Sequence, residues 1–241
     1  MTARVAIILG SLIFLFLLIG VLIFLEPEWV VARLRERSPS VLYSIDTLEP
    51  VVALTIDDGP DPVQTPKILD ILGQYNAHAT FFLISSRISG NEEIVRRMMD
   101  EGHEIANHLV YDEPSIRLDS DEFIRQLREA DRLLSQFGEI YWFRPGSGWY
   151  NNGMLDIIKE HGYQCALGSV YPFDPQIGST WFIKNYVIWK AKPGEVIVLH
   201  DYGARGGRTA EALATILPEL QERGYSVVTL SDLVEVGNWG D

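Results

Sequence analysis

The sequence predicts an α/β chain: a parallel barrel of strands with helices outside it, preceded by one apolar helix at the N-terminus. Three observations predict this. Strand-like and helix-like runs alternate from Val51 to Val236. The polar residues fall at the C-terminal ends of the strand-like runs, where barrel chemistry gathers. An uncharged run of Leu, Ile, Val and Phe extends from Val5 to Leu25. The competing architecture for the repeated strand–helix pattern is an open doubly wound sheet.

The N-terminal run comes first. At about 1.5 Å per residue it reaches the roughly 30 Å of a bilayer core. A cleaved leader would have an apolar region of only about 7–15 residues and a small-residue cleavage site. Val30-Val31-Ala32 is a poor one. The expectation is a retained single-pass anchor over residues 1–25 that meets the membrane through 5–25. Residues 26–50 then read as a juxtamembrane linker. Within it Trp29 suits a membrane interface, and Trp29 to Arg37 reads as a short amphipathic helix stopped by Ser38-Pro39-Ser40.

Residues 51–241 read as the catalytic domain. Val51–Ile56 is β-branched and stops at Asp57-Asp58-Gly59-Pro60. Pro66–Tyr75 is a helix with Pro66 in its first turn. Ala79–Ile84 is a strand, Glu92–Glu101 a helix ended by Gly102, and Glu104–Asn107 a strand. Asp119–Phe137 carries Phe123, Leu127, Ala130 and Leu134 on one helical face. Tyr141–Arg144 is a strand, Gly153–His161 a helix and Gln164–Leu167 a strand. A loop rich in Pro, Gly and aromatics follows. Glu195–Leu199 and Tyr225–Thr229 are strands around the helix Thr209–Arg223, and Ser231–Val236 begins a last short helix.

The 241 residues carry a net charge of -13 and a sequence pI near 4.8. Nucleic acid is excluded as a partner, because its binding rests on neutralising phosphates with Lys and Arg. The single cysteine, Cys165, rules out an intramolecular disulfide.

Asp57 and Asp58, His108, Arg144, Asp174, and His200 with Asp201 all lie at or just beyond strand ends. In a parallel barrel these positions share one mouth. Asp-Asp-Gly-Pro by itself is ordinary turn chemistry. Two adjacent carboxylates also let one hold a metal while the other acts as base. Asp112 follows His108 by the spacing that puts two ligands on one face of a helical turn. With Asp58 this gives one imidazole and two carboxylates, a set suited to a divalent metal with open positions. His200 is either a buried, hydrogen-bonded side chain or a general acid.

Thr55-Ile56-Asp57-Asp58-Gly59-Pro60 resembles the first motif of the polysaccharide deacetylase (NodB-homology) family, which includes chitin, chitooligosaccharide and peptidoglycan deacetylases. Asn107-His108-Leu109-Val110-Tyr111-Asp112 resembles the second motif and Phe143-Arg144-Pro145-Gly146-Ser147-Gly148 the third. Asp174 matches the fourth and Val198-Leu199-His200-Asp201 the fifth. The motifs keep the family's order over about residues 51–236. The resemblance implies an incomplete (β/α)7-type barrel and metal-dependent removal of an acetyl group from an N-acetylated sugar. It implies Asp57 as base, Asp58 and His108 as ligands, His200 as acid, and Arg144 with Asp174 tuning Asp57. A backbone N–H near Ser147 would stabilise the oxyanion. The metal expected is zinc, with manganese or cobalt as alternatives.

Three positions depart from the family pattern: Asp112 stands where a second His is usual, Gly146-Ser147 where Pro-Tyr is usual, and Val198 where Leu is usual. They mark a divergent member. A deacetylase of a lipid-linked sugar and an inactive carbohydrate-binding protein are the alternative functions. Arg33, Arg35 and Arg37 after the apolar run outnumber Arg4 before it, which points the domain to the cytoplasm. The family's substrates point it outward, and the outward side is the expectation.

Overall fold

In the computed structural model the described residues are 3–25, 28–237 and 239. They form two compact units that divide after Pro39.

The first unit holds helix α1 (Ala3–Leu25) and helix α2 (Glu28–Arg37). The described side chains at 7–18 are all exposed. Those at 3, 4, 6, 19 and 21–25 lie outside the described set, as do residues 26 and 27 of the expected linker. Among the described residues no helix is long and apolar enough to cross a membrane. The described residues therefore do not by themselves show the expected anchor.

The second unit is built on an eight-stranded parallel sheet. Strands β1 (Val41–Leu42), β2 (Val51–Asp57), β3 (Thr80–Leu83), β4 (Glu104–Asn107), β5 (Trp142–Phe143), β6 (Gln164–Ala166) and β7 (Val196–His200) lie in the order β1-β6-β5-β4-β3-β2-β7. The last strand, β8 (Ser226–Val228), pairs with Val51–Ala53 at the lower half of β2. The sheet curls until the chain just beyond β6 meets β7 through one bridge, Val170 to Ile197. The barrel is thus incomplete, as expected, and the open doubly wound sheet is ruled out.

The central strand β2 is buried along its whole length, so its sequence runs apolar without alternation. Its two faces meet different cores. Val52, Leu54 and Ile56 face the helical layer, made chiefly by α3 (Gln64–Gln74), α4 (Glu92–Asp100), α7 (Thr180–Lys190) and α8 (Gly203–Glu222). Val51 and Ala53 join Leu42, Phe82, Ala106, Trp142 and Val196 in a second core. Strand geometry puts Thr55 and Asp57 on that same face. The face is therefore apolar at its foot and acidic at its C-terminal mouth.

Three expectations need correction. The compact unit that holds the sheet begins at Ser40 rather than at Val51. Val41–Leu42 pairs with Cys165 and Ala166 of β6, and Leu42 and Ile45 are buried. Two residues are too few to show a period in sequence. The loop expected after β6 contains α7, and α8 starts at Gly203 rather than Thr209. Its first turns are rich in glycine, which hid them. The remaining helices, α5 (Ser120–Leu134), α6 (Asn152–Glu160) and α9 (Leu230–Val236), lie where periodicity put them. The last residues assigned to the domain, 238, 240 and 241, lie outside the described set.

Candidate active site

Each strand end delivers its polar residue to the same mouth. Asp57 ends β2 and Asp58 follows it with φ 79, a backbone conformation that is unfavourable for a non-glycine residue and common at functional sites. Asp58 N–H donates to the Phe82 carbonyl at 3.1 Å and Asp201 N–H donates to the Asp57 carbonyl at 3.1 Å. The first motif is thereby clamped between its two neighbouring strands. Gly59 is required by close approach: a Cβ there would lie 2.4 Å from Asp201 Oδ2.

Behind Asp57 sits Arg144, the residue after β5. Its guanidinium donates to Asp57 Oδ1 at 2.5 Å and Thr55 Oγ1 at 2.8 Å through Nη1, and to the Ala166 carbonyl at 3.0 Å through Nε. It also lies 4.0 Å over the Phe82 ring. Burial lowers its pKa and Asp57 opposes that; arginine stays charged. Asp57 is the register partner of His200 in β7, so base and acid candidates stand side by side on one face. His200 Nδ1 lies 3.0 Å from both carboxylate oxygens of the fully buried Asp174. Burial lowers the imidazole pKa, but the Asp174 carboxylate overcomes this and it is pushed up to about 9. The ring's other nitrogen, Nε2, is left for a substrate.

His108 follows β4. Its Nδ1 lies 2.7 Å from the Arg144 carbonyl oxygen and its Nε2 lies 3.7 Å from Asp58 Oδ1. A histidine fixed by a backbone carbonyl, with the other nitrogen facing a carboxylate, is the usual arrangement of a metal-binding imidazole. Burial pushes the Asp58 carboxyl up, and a cation held beside it would reverse that. Asp58 and His108 therefore fit a divalent ion.

The third expected ligand is placed differently. Leu109 has φ 64 and the chain through Pro114 forms no helix, so the helical turn that was to bring Asp112 beside His108 is not formed. Asp112 Oδ2 pairs instead with Arg87 Nη2 at 3.1 Å and Arg205 Nη2 at 3.5 Å. Burial raises its pKa, and the two arginines more than offset this and hold it low. Among the described residues no three His, Cys, Asp or Glu side chains are gathered as a metal-binding group.

Ser147 lies in the loop after Arg144 with φ 63. Its neighbour Gly146 donates its N–H to Ser115 Oγ at 2.7 Å. A Cβ on Gly146 would lie 2.1 Å from the Glu113 carbonyl oxygen. The departure at Gly146 thus makes room for the very loop that carries Asp112.

Three more residues of the mouth, Arg87, Arg205 and Asp61, carry no signal in sequence. Arg87 stacks 3.6 Å from the centre of the Tyr202 ring and donates to the Asp58 carbonyl oxygen. Arg205 Nη1 lies 2.8 Å from Asp58 Oδ2. Asp201, wholly buried and pushed up to about 7 by burial, accepts from Thr65 Oγ1 at 2.5 Å. Asp61 accepts from Gly203 N–H at 2.9 Å and so ties the first motif's loop to the last.

The polysaccharide deacetylase family matches residues 44–166. A peptidoglycan-N-acetylglucosamine deacetylase of Bacillus cereus is 37% identical over 205 residues, which cover 83% of this chain and 96% of that protein. The chain belongs to the polysaccharide deacetylase family. Its deacetylase fold resembles a peptidoglycan N-acetylglucosamine deacetylase solved with 4-naphthalen-1-yl-N-oxidanyl-benzamide. The TM-score is 0.78 at 31% identity, over 86% of this chain and 98% of that one. It also resembles a family 4 acetyl xylan esterase from Clostridium thermocellum solved with a cobalt ion. That TM-score is 0.71 at 30% identity, over 77% and 91% of the two chains.

Proposed function

We propose that this protein hydrolyses the N-acetyl amide of an N-acetylated sugar, with Asp57 as general base and His200 as general acid. The reading is carried by one observation: Asp57 and His200 are register partners on adjacent strands, and each is held from behind by a buried group of opposite charge, Arg144 and Asp174. Arg144 holds Asp57 in place and aims it. Asp174 keeps His200 protonated near neutrality, with Nε2 left for the leaving nitrogen.

Asp57 takes a proton from the attacking water as its oxygen bonds to the amide carbon. A backbone N–H near Ser147 would stabilise the oxyanion. His200 then protonates the nitrogen as the C–N bond breaks, which leaves acetate and a free amine. A divalent ion, zinc by preference with manganese or cobalt as alternatives, would be held by Asp58 and His108 and would polarise the carbonyl as a Lewis acid.

The names of the relatives favour peptidoglycan or chitooligosaccharide as substrate. Membrane attachment through residues 5–25 is part of the same proposal. It rests on the uncharged sequence and on the exposed apolar side chains at 7–18 of α1, since a helix apolar all round needs a large core or a bilayer to cover it. The domain would then act outside the cytoplasm.

The test is acetate release from peptidoglycan, N-acetylglucosamine oligomers and polyprenyl-linked N-acetyl sugars, with and without added metal. Release from the wall or oligomer substrates supports the proposal. Release from the polyprenyl-linked sugar alone replaces it with action on a lipid-linked precursor. Saccharide binding without release from any of them makes the protein a binding module. Protease accessibility of the domain in sealed cells decides its side of the membrane.

A further inference from the structure

Arg205 has no part in that mechanism, yet it stands where a cation is expected. It lies in the first turns of α8, three residues past Tyr202. One guanidinium nitrogen is 2.8 Å from Asp58 Oδ2 and another is 3.5 Å from Asp112 Oδ2. These are the two carboxylates that the sequence spacing assigns to a metal. A single guanidinium therefore spans both.

The contact to Asp58 is one of charge. Asp58 Oδ2 makes no aligned hydrogen bond to any side chain, so little directional bonding opposes its release. Arg205 is also free to leave: its side chain is 28% exposed and that of Asp112 is 45% exposed. Arg87 backs the arrangement from the other side. It pairs with Asp112 Oδ2 at 3.1 Å, donates to the Asp58 carbonyl oxygen and stacks on Tyr202. A buried carboxylate needs some counter-charge, and Arg205 supplies one beside Asp58.

We propose that Arg205 is a resident counter-cation of the metal ligands, and that a divalent ion binds this protein by displacing its guanidinium from Asp58 and Asp112. Asp112 becomes available as a ligand in that exchange. Arg205 would therefore set how much metal the protein holds at a given concentration. The proposal rests on the reading that Asp58 and His108 hold the ion, so the experiment tests the two separately.

Zinc binding to the detergent-solubilised full chain is measured by titration calorimetry for wild type, Asp58→Ala, Arg205→Gln and Arg205→Lys. Asp58→Ala alone tests the metal reading: if it binds zinc as wild type does, that reading fails whatever Arg205 does. For the exchange, Arg205→Gln is expected to bind zinc at least about 10-fold more tightly, on the scale of changes in a metal's outer partners. Arg205→Lys, which keeps the charge with a shorter reach, is expected between the two. Guanidinium chloride below denaturing concentration is expected to weaken zinc binding by Arg205→Gln back toward the wild-type value. A purely structural role for Arg205 would not give that rescue. Equal or weaker zinc binding by both Arg205 variants, or no guanidinium effect, overturns the proposal.

Discussion

Asp57 and His200 stand opposite each other in β2 and β7, and neither is free to turn away. Arg144 holds Asp57 at 2.5 Å, and Asp174 holds His200 at 3.0 Å. Both holding groups are buried, so the positions of the two candidate catalytic groups are fixed before substrate arrives.

Removal of the charge on Asp57 tests the first half of this arrangement. Asp57→Asn keeps an acceptor for Arg144 but cannot take a proton, so turnover is expected to fall by about 10²-fold or more. Zinc affinity should change little from wild type if Asp57 serves as base rather than as a ligand. Arg144→Ala goes further and leaves Asp57 buried without its partner, at a cost of about 3–5 kcal/mol. Chemical denaturation of the two variants checks the ranking, and an Arg144→Ala protein as stable as wild type would contradict it.

The second half predicts a pH dependence. The folded pKa of His200 is raised to about 9 from an unfolded value near 6.5. Its contribution to stability is therefore full below about pH 6.5 and is lost as pH rises through about 9. The alkaline limb of kcat/KM should fall near pH 9. In Asp174→Asn, burial is opposed only by the charges of Asp57 and Asp58, and the limb should move down from about pH 9. The fall in denaturation midpoint between pH 6.5 and 9 should also flatten. A limb that stays near pH 9 in this variant would remove His200 as the acid.

Gly146 is predicted to be irreplaceable in its present loop. A Cβ would sit 2.1 Å from the Glu113 carbonyl oxygen, and backbone cannot move aside as a side-chain tip can. Gly146→Ala should part the two loops at a cost of about 1–3 kcal/mol, as for an overpacked site. The thermal midpoint of the variant measures this.

The boundary at Ser40 makes a prediction of its own. Leu42 is fully buried and sits in the core beneath the mouth, so Leu42→Ala should cost about 2–5 kcal/mol. A chain begun at Ser40 should unfold cooperatively, whereas one begun at Val51 lacks β1 and should not. Circular dichroism melts of the two truncations separate them. A cooperative melt from the shorter chain would restore residues 40–50 to the linker.

The sequence by itself determined the alternation of strands and helices and the residues at the strand ends. Both are local: a buried strand is a short β-branched run, and a strand-ending Asp-Asp-Gly-Pro is legible within one segment. It also determined the family, because Thr55 to Pro60, Arg144 and His200 appear in a fixed order. Only the tertiary structure decided the rest. The helix α7 was unreadable because Trp181, Phe182, Ile183, Tyr186, Val187, Ile188 and Trp189 leave it apolar on nearly every side, which erases the helical stripe. The strand β1 is defined by pairing with β6, far along the chain. The place of Asp112 depended on a left-handed Leu109 and on the absence of a Cβ at Gly146. Arg87 and Arg205 reach the same carboxylate from different elements, and no spacing in one dimension encodes a meeting of charges brought together by the curl of the sheet.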